Sequence, residues 1–306
     1  MRAVAPLFFL ACRTDKKNMA AGSIVRNAVF AGGGVRGMCY GACLLELEKV
    51  RDVRLAGVAG TSIGALCACL LASRYSFQEL SGIIESTTID DLISINVMDL
   101  VYTWGLDRGE KLYRWIDARV HEKTGRRDTT FKQLHDHSSM DLFVSATNLH
   151  SATECRMHWT THPDMPVALA VQMSMALPPL FAPVTYEGHM YTDGGLCNNC
   201  PYQPFVDDAA RTVIFRLQWN NAFDLNTIDK YMSRVVYVGL YRLSSTSMAT
   251  APPAMQRNQI VVDGGDVCTV AMKLSPGLRD HLRSKAREAV HAWDKHISGE
   301  DHEVTS

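Results

Sequence analysis

No stretch of this 306-residue chain reaches the roughly 18 consecutive apolar residues that a membrane-spanning helix needs, which leaves a soluble protein or one lying on a surface. Nor is there a run of basic residues. Lysine and arginine total 31 against 32 acidic side chains, for a formal net charge of -1. Without a basic track along which phosphates could lie, nucleic acid is not expected as a partner. The nine cysteines are an odd number, and Cys197-x-x-Cys200 has no second pair of similar spacing. A structural metal site wants two such pairs, so no metal is expected and the CxxC reads as incidental. Several other cysteines fall in apolar helical patterns, where the residue acts as a small hydrophobe, and they read as reduced thiols. What the chain has in quantity is apolar: 47% of it is hydrophobic, enough for a substantial core in one large α/β domain or two ordinary ones.

At the start, Arg2 precedes AVAPLFFLAC, which has the form of a short secretory h-region, with Ala11-Cys12 resembling a lipoprotein cleavage site. The positive region is a single arginine, and Met19 would serve as a start for a chain whose first strand begins near Asn27. A signal and a dispensable leader both stay open. We expect residues 1–25 to be leader, 26–298 a single domain and 299–306 a polar tail that frays. A cytoplasmic or membrane-peripheral location is expected, with secretion left open by the leader; the sequence does not bear on oligomeric state.

Asn27 to Ala31 reads as a buried strand, followed by Gly32-Gly33-Gly34-Val35-Arg36-Gly37 and a helical run. The glycine spacing fits GxGxxG, so a dinucleotide phosphate site has to be considered. Glycine N–H groups can equally cradle the oxyanion of an acyl intermediate, or the glycines can simply let strand and helix pack closely. The next strand, Val53 to Ala59, decides against the nucleotide. It ends in Gly60-Thr61-Ser62-Ile63-Gly64 where a ribose-binding acid would be wanted. This GxSxG between a strand and a small-residue helix suits a nucleophile elbow, a turn so tight that the positions two before and two after the serine carry no Cβ. The same pentapeptide can also be a plain strand-to-helix turn.

Further along, Phe77 to Ser86 and Lys111 to Glu122 read as helices. Ile89 to Trp104 is unusually apolar, a buried helix by preference or a lid opening onto lipid. Phe131 to Leu134 is expected to begin a return to the sheet, which continues with strands at Asp141 to Thr147 and Cys155 to Thr160. A helix from Pro166 to Ala176 closes at Leu177-Pro178-Pro179, and two short strands around Glu187-Gly188 lead to Asp193-Gly194-Gly195. An aspartate entering a Gly-Gly turn is common turn chemistry, but within reach of a serine hydroxyl it can serve as a base. Thr212 to Trp219 reads as a strand, Ile228 to Leu243 as a helix and SSTSMATAPPAM as a loop. A second DGG, Asp263-Gly264-Gly265, suits a hairpin turn. The late histidines His281, His291, His296 and His302 would be needed for a Ser-His-Asp triad, but they sit in a charged helical run and a polar tail that read as solvated surface.

Taken together, AGGGVRG at 31–37, GTSIG at 60–64, ALPPLFAPV at 176–184 and DGGLCNNCP at 193–201 resemble the patatin-like phospholipase family in content and order, with GLDRGEKL and FKQL between them. The resemblance implies a three-layer α/β/α fold with a central, mostly parallel sheet. It also implies a Ser-Asp dyad and calcium-independent hydrolysis of lipid acyl esters without a cofactor. Carried over by position, Ser62 is the expected nucleophile and Asp193 the general base, with Gly32, Gly33, Gly34, Arg36 and Gly37 forming the oxyanion loop. Arg36 either faces a lipid phosphate or pins the loop by bonding carbonyls, the second being favoured. The expected activity is phospholipase A-type, on a lipid substrate at a membrane or micelle surface. A neutral-lipid esterase and a silent lipid-binding scaffold of the same fold are the alternatives.

Overall fold

The computed structural model describes residues 24–218, 228–264 and 276–299; residues 1–23 of the expected leader, the DVCTVAM stretch and residues 300–306 of the expected polar tail lie outside them. Strand β1 (Val25–Phe30) and a 3-10 turn (Gly34–Met38) lead to α1 (Cys39–Val50), and β2 (Val53–Thr61) runs into α2 (Ile63–Ala72). Helices α3 (Phe77–Ser86), α4 (Ile89–Leu92), α5 (Val97–Thr103), α6 (Glu110–Thr124) and α7 (Phe131–Ser138) precede β3 (Asp141–Asn148) and β4 (Thr153–Met157). Next come α8 (Val167–Ser174), β5 (Val184–Tyr186) and β6 (His189–Asp193). After 3-10 turns at Gly194–Leu196 and Gln203–Arg211 the chain forms β7 (Thr212–Gln218), α9 (Ile228–Ala249), α10 (Pro253–Arg257), β8 (Gln259–Asp263) and α11 (Pro276–Ser298).

The strands form one sheet in the order β5-β6-β3-β2-β1-β7-β8, with β4 also paired to β3. Pairing is parallel from β3 through β8 and antiparallel where β3 meets β4 and β6. Successive strand residues face opposite sides, and both sides are apolar here. From β1, Ala28 and Phe30 enter a core shared with α1, α2 and α11, while Val29 joins a second core with Tyr202, Phe205, Met248 and Met255. The sheet is therefore the middle of three layers. Helix α2, IGALCACLLA, is buried along nearly its whole length, which explains why it is apolar on every side. Its N-terminus emerges at the C-terminal ends of the parallel strands, the edge at which such sheets place their sites.

Three local expectations change. Phe131 to Leu134 starts helix α7, because Thr130 and Gln133 form a capping box, with Thr130 N–H donating to Gln133 Oε1 at 3.1 Å and Gln133 N–H to Thr130 Oγ1 at 3.3 Å. Ile89 to Trp104 is not one buried helix. It breaks into α4 and α5, with Asn96 capping α5, and much of its apolar surface from Ile95 onward is exposed. Helix α9 runs past Leu243 to Ala249 because Leu240, Ser244 and Met248, four apart, all face the interior. The strand before Asp263, β8, pairs in parallel with β7 across α9 and α10; the second arm of the hairpin expected at Asp263-Gly264-Gly265 lies outside the described residues.

Candidate active site

Ser62 sits between the end of β2 and the first turn of α2, with φ +56° and ψ -128°. A non-glycine residue rarely adopts this backbone, and its neighbours explain how it is held. A Cβ on Gly60 would lie 2.2 Å from the Gly64 carbonyl oxygen, and one on Gly64 would lie 2.2 Å from that of Phe30. Only glycine fits at either position. The Ser62 N–H donates to Ser174 Oγ at 2.8 Å, and Ser174 in turn donates to the Ser145 carbonyl at 2.6 Å. Ser62 also occupies the N-cap of α2, so the positive end of the helix dipole lies beside its hydroxyl.

Asp193 ends β6, two strands away from β2 in the sheet, and is buried. Thr147 Oγ1 bonds its carbonyl and its N–H donates to the Ala176 carbonyl, so both sides of its peptide backbone are fixed. Its carboxylate accepts the Gly195 N–H at 2.8 Å, and the Ser62 hydroxyl lies near enough to favour its charged form. Burial destabilises the charge more than Gly195 and Ser62 favour it, and the pKa is pushed up to about 6. A Cβ on Gly194 would lie 2.1 Å from the Ser145 carbonyl oxygen, so the turn after Asp193 depends on close backbone approach.

The glycine loop lies over this pair. Gly32 N–H is occupied by the Asn199 carbonyl at 3.0 Å, and Asn199 Nδ2 returns a bond to the Gly32 carbonyl. A Cβ on Gly32 would come within 3.3 Å of Ser62 Cβ, which places this residue beside the serine. Gly34 adopts φ +58°. Among the described residues, no backbone bond outside the regular elements uses the N–H of Gly33 or Gly34. Gly37 packs on Ile63, where a Cβ would lie 2.4 Å from the isoleucine side chain. Arg36 is buried and its guanidinium donates to the Gln218 carbonyl at 3.1 Å, bonding the loop to the end of β7.

The remaining sequence candidates lie elsewhere. Asp263 ends β8 at the far edge of the sheet, with β1 and β7 between that strand and β2. His281, His291 and His296 are on α11, where His291 faces Glu46; His302 is outside the described residues. Cys200 is buried and burial pushes its thiol up to about 12, which makes a thiolate ligand or nucleophile costly there.

Sequence reasoning passed over Ser174, Ser145 and Glu154. Glu154 accepts Ser145 Oγ at 2.9 Å and Asn198 Nδ2 at 3.1 Å, and the Asn198 carbonyl in turn accepts Thr61 Oγ1. The chain thus ties the strand before the serine to the turn after the aspartate. The only signal in sequence was a lone hydroxyl, Ser174, at the end of the apolar helix VALAVQMS.

A sequence model described as "Patatin-like phospholipase" matches residues 28–206. An uncharacterized protein of Acanthamoeba polyphaga mimivirus is 25% identical over 272 residues, which covers 85% of this chain and 90% of that protein. A "probable lipid hydrolase" of Invertebrate iridescent virus 6 is 28% identical over 182 residues, 58% of this chain and 61% of the relative. Among solved structures, VipD from Legionella pneumophila superposes with a TM-score of 0.66 at 16% identity, covering 88% of this chain and 66% of VipD. At that identity the likeness is one of fold. The chain spans somewhat less than two thirds of the iridescent virus protein and of VipD.

Proposed function

Since this chain belongs to the patatin-like phospholipase family, we propose that it hydrolyses fatty-acyl esters of phospholipids, with Ser62 as nucleophile and Asp193 as general base. One observation carries the reading: a serine on a positive-φ turn has its hydroxyl beside a buried carboxylate whose pKa lies near 6. Such a carboxylate is ionised at neutral pH and still basic enough to take a proton as the serine attacks. Ser62 Oγ adds to the acyl carbon while Asp193 accepts its proton. The carbonyl oxygen becomes an oxyanion, stabilised in this reading by the N–H groups of Gly33 and Gly34 and the N-terminus of α2. Collapse of the intermediate breaks the ester bond, and Asp193 returns the proton to the departing alcohol. Water, deprotonated by Asp193, then releases the fatty acid and restores Ser62. In this reading Gly32, Arg36 and Gly37 hold the loop in shape, and Gly33 and Gly34 supply the donors.

Labelling with a fluorophosphonate, alongside fatty-acid release from phospholipid vesicles, tests this. Label should attach to wild type and vanish with Ser62→Ala, and release should need both Ser62 and Asp193. A folded wild type that neither labels nor releases fatty acid would leave a binding protein as the better account. Release from triacylglycerol but not from phospholipid would move the activity to neutral lipids.

A further inference from the structure

We infer that α5 and α9 together form a docking face for the surface of an anionic phospholipid bilayer. This rests on the lipid-hydrolase reading above and names the surface from which that site draws its substrate. Both helices are joined to the site. The root of α5 is bonded to the loop between α8 and β5, which starts beside the Ala176 carbonyl that takes the Asp193 N–H: Leu106 N–H donates to the Pro179 carbonyl and Asp107 N–H to that of Leu180, while Ala182 N–H donates back to the Asp107 carbonyl. Buried Asp107 also takes the N–H groups of Ser94 and Gly109, which fixes the base of the projecting segment. On the other side, Leu240 of α9 packs on Gly195 in the turn after Asp193, and Tyr202 bonds the α9 carbonyl of Ser247.

Both helices also present apolar surface to solvent. In α5 and its C-cap, Met98, Val101, Tyr102 and Trp104 are 57%, 69%, 72% and 63% exposed. Side chains of this size gain from leaving water, so a solvated cluster of them marks a contact surface. The one acid in α5, Asp99, is turned inward and paired with Arg108 at 2.8 Å, which removes its charge from that face. Helix α9 buries Leu240, Ser244 and Met248 on one side and exposes Tyr231, Val235 and Val238 on the opposite side, at i, i+4 and i+7. Arg242 continues the exposed stripe. From Tyr231 to Ala249 there is no Asp or Glu. Apolar side chains, a Tyr and a Trp suited to the headgroup level, and basic charge without acidic charge match a lipid surface carrying negative headgroups.

The test is co-sedimentation of the Ser62→Ala protein, which leaves the lipid intact, with vesicles of phosphatidylcholine alone and of phosphatidylcholine mixed with phosphatidylglycerol. Binding should be stronger on the mixed vesicles. Val101→Asp and Val235→Asp, each placed in the Ser62→Ala protein, should each lower it by about tenfold or more, with melting curves showing that the exposed substitutions leave the fold intact. Tryptophan emission should shift to the blue on vesicles, and Trp104→Phe should remove the shift. Equal binding by all variants, or no preference for the anionic vesicles, would overturn the inference. So would a protein dimer in sedimentation velocity that either aspartate substitution dissolves, since a second copy would then be the occupant. If vesicles bind as expected while wild type releases no fatty acid, the hydrolase reading fails and the docking face stands.

Discussion

In the folded chain Asp193 ionises near pH 6, against an ordinary value of 3.8 once its burial is lost. The unfolded state therefore sheds its proton first, and between those two values raising the pH favours unfolding. Above pH 7 the buried charge costs roughly 3 kcal/mol of stability. Two outcomes follow from one residue. Asp193→Asn should abolish hydrolysis yet raise the melting temperature at pH 8, and its advantage over wild type should fade as the pH falls through 6 and vanish below about pH 3; melting curves across that range check it. In wild type, kcat/KM should climb about tenfold per pH unit below 6 and level off above. Ser174 is the second residue whose role can be isolated. Ser174→Ala leaves the Ser62 N–H without its partner inside the protein and should cost about 1–3 kcal/mol, with turnover falling because the strained turn loses the bond that holds it. Denaturant titration and a steady-state assay measure the two effects separately.

At the scale of elements, local chemistry and long-range contact divide what could be read beforehand. The elbow and the turn at Asp193 were legible because glycine at fixed spacing has few other uses, and the close approaches of Gly60, Gly64 and Gly194 show the reason. Helix α7 was open to the same kind of reading, since Thr130 and Gln133 spell a capping box, but its short apolar start looked like a strand. The cap makes it testable: Thr130→Ala should cost about 1 kcal/mol, seen as a lower urea midpoint at unchanged slope. The segment from Ile89 to Trp104 failed for another reason. Apolar composition says that a surface avoids water without saying what covers it, and burial within the chain was only the commoner answer. Ser174 lay beyond reach because its partner Ser62 is 112 residues away.

For the whole molecule, the family match ends at residue 206, yet the site depends on chain beyond it. Strand β7 pairs with β1 from Asn27 to Phe30, and the Phe215 ring stacks on Phe30 with centroids 4.9 Å apart. Leu217 packs under Gly33, and the Gln218 carbonyl receives Arg36, so the glycine loop rests on β7. A chain stopped at residue 206 would leave β1 with an unpaired edge and Phe30 without the Phe215 ring that stacks on it. It should aggregate, where the full chain folds. The last helix closes the opposite face: α11 packs on α1, and Arg51, only 4% exposed in its side chain, bonds Asp294 at 2.6 Å and Ser298 at 3.0 Å. Removing one member strands a buried guanidinium, while replacing both with apolar groups does not. Asp294 is 26% exposed, so water screens part of the loss. Asp294→Ala should lower stability by roughly 1–3 kcal/mol, and the pair Arg51→Met with Asp294→Leu should recover most of it. Melting curves of the three proteins decide the matter, since a double variant no better than Asp294→Ala would mean that α11 is held by its apolar face alone.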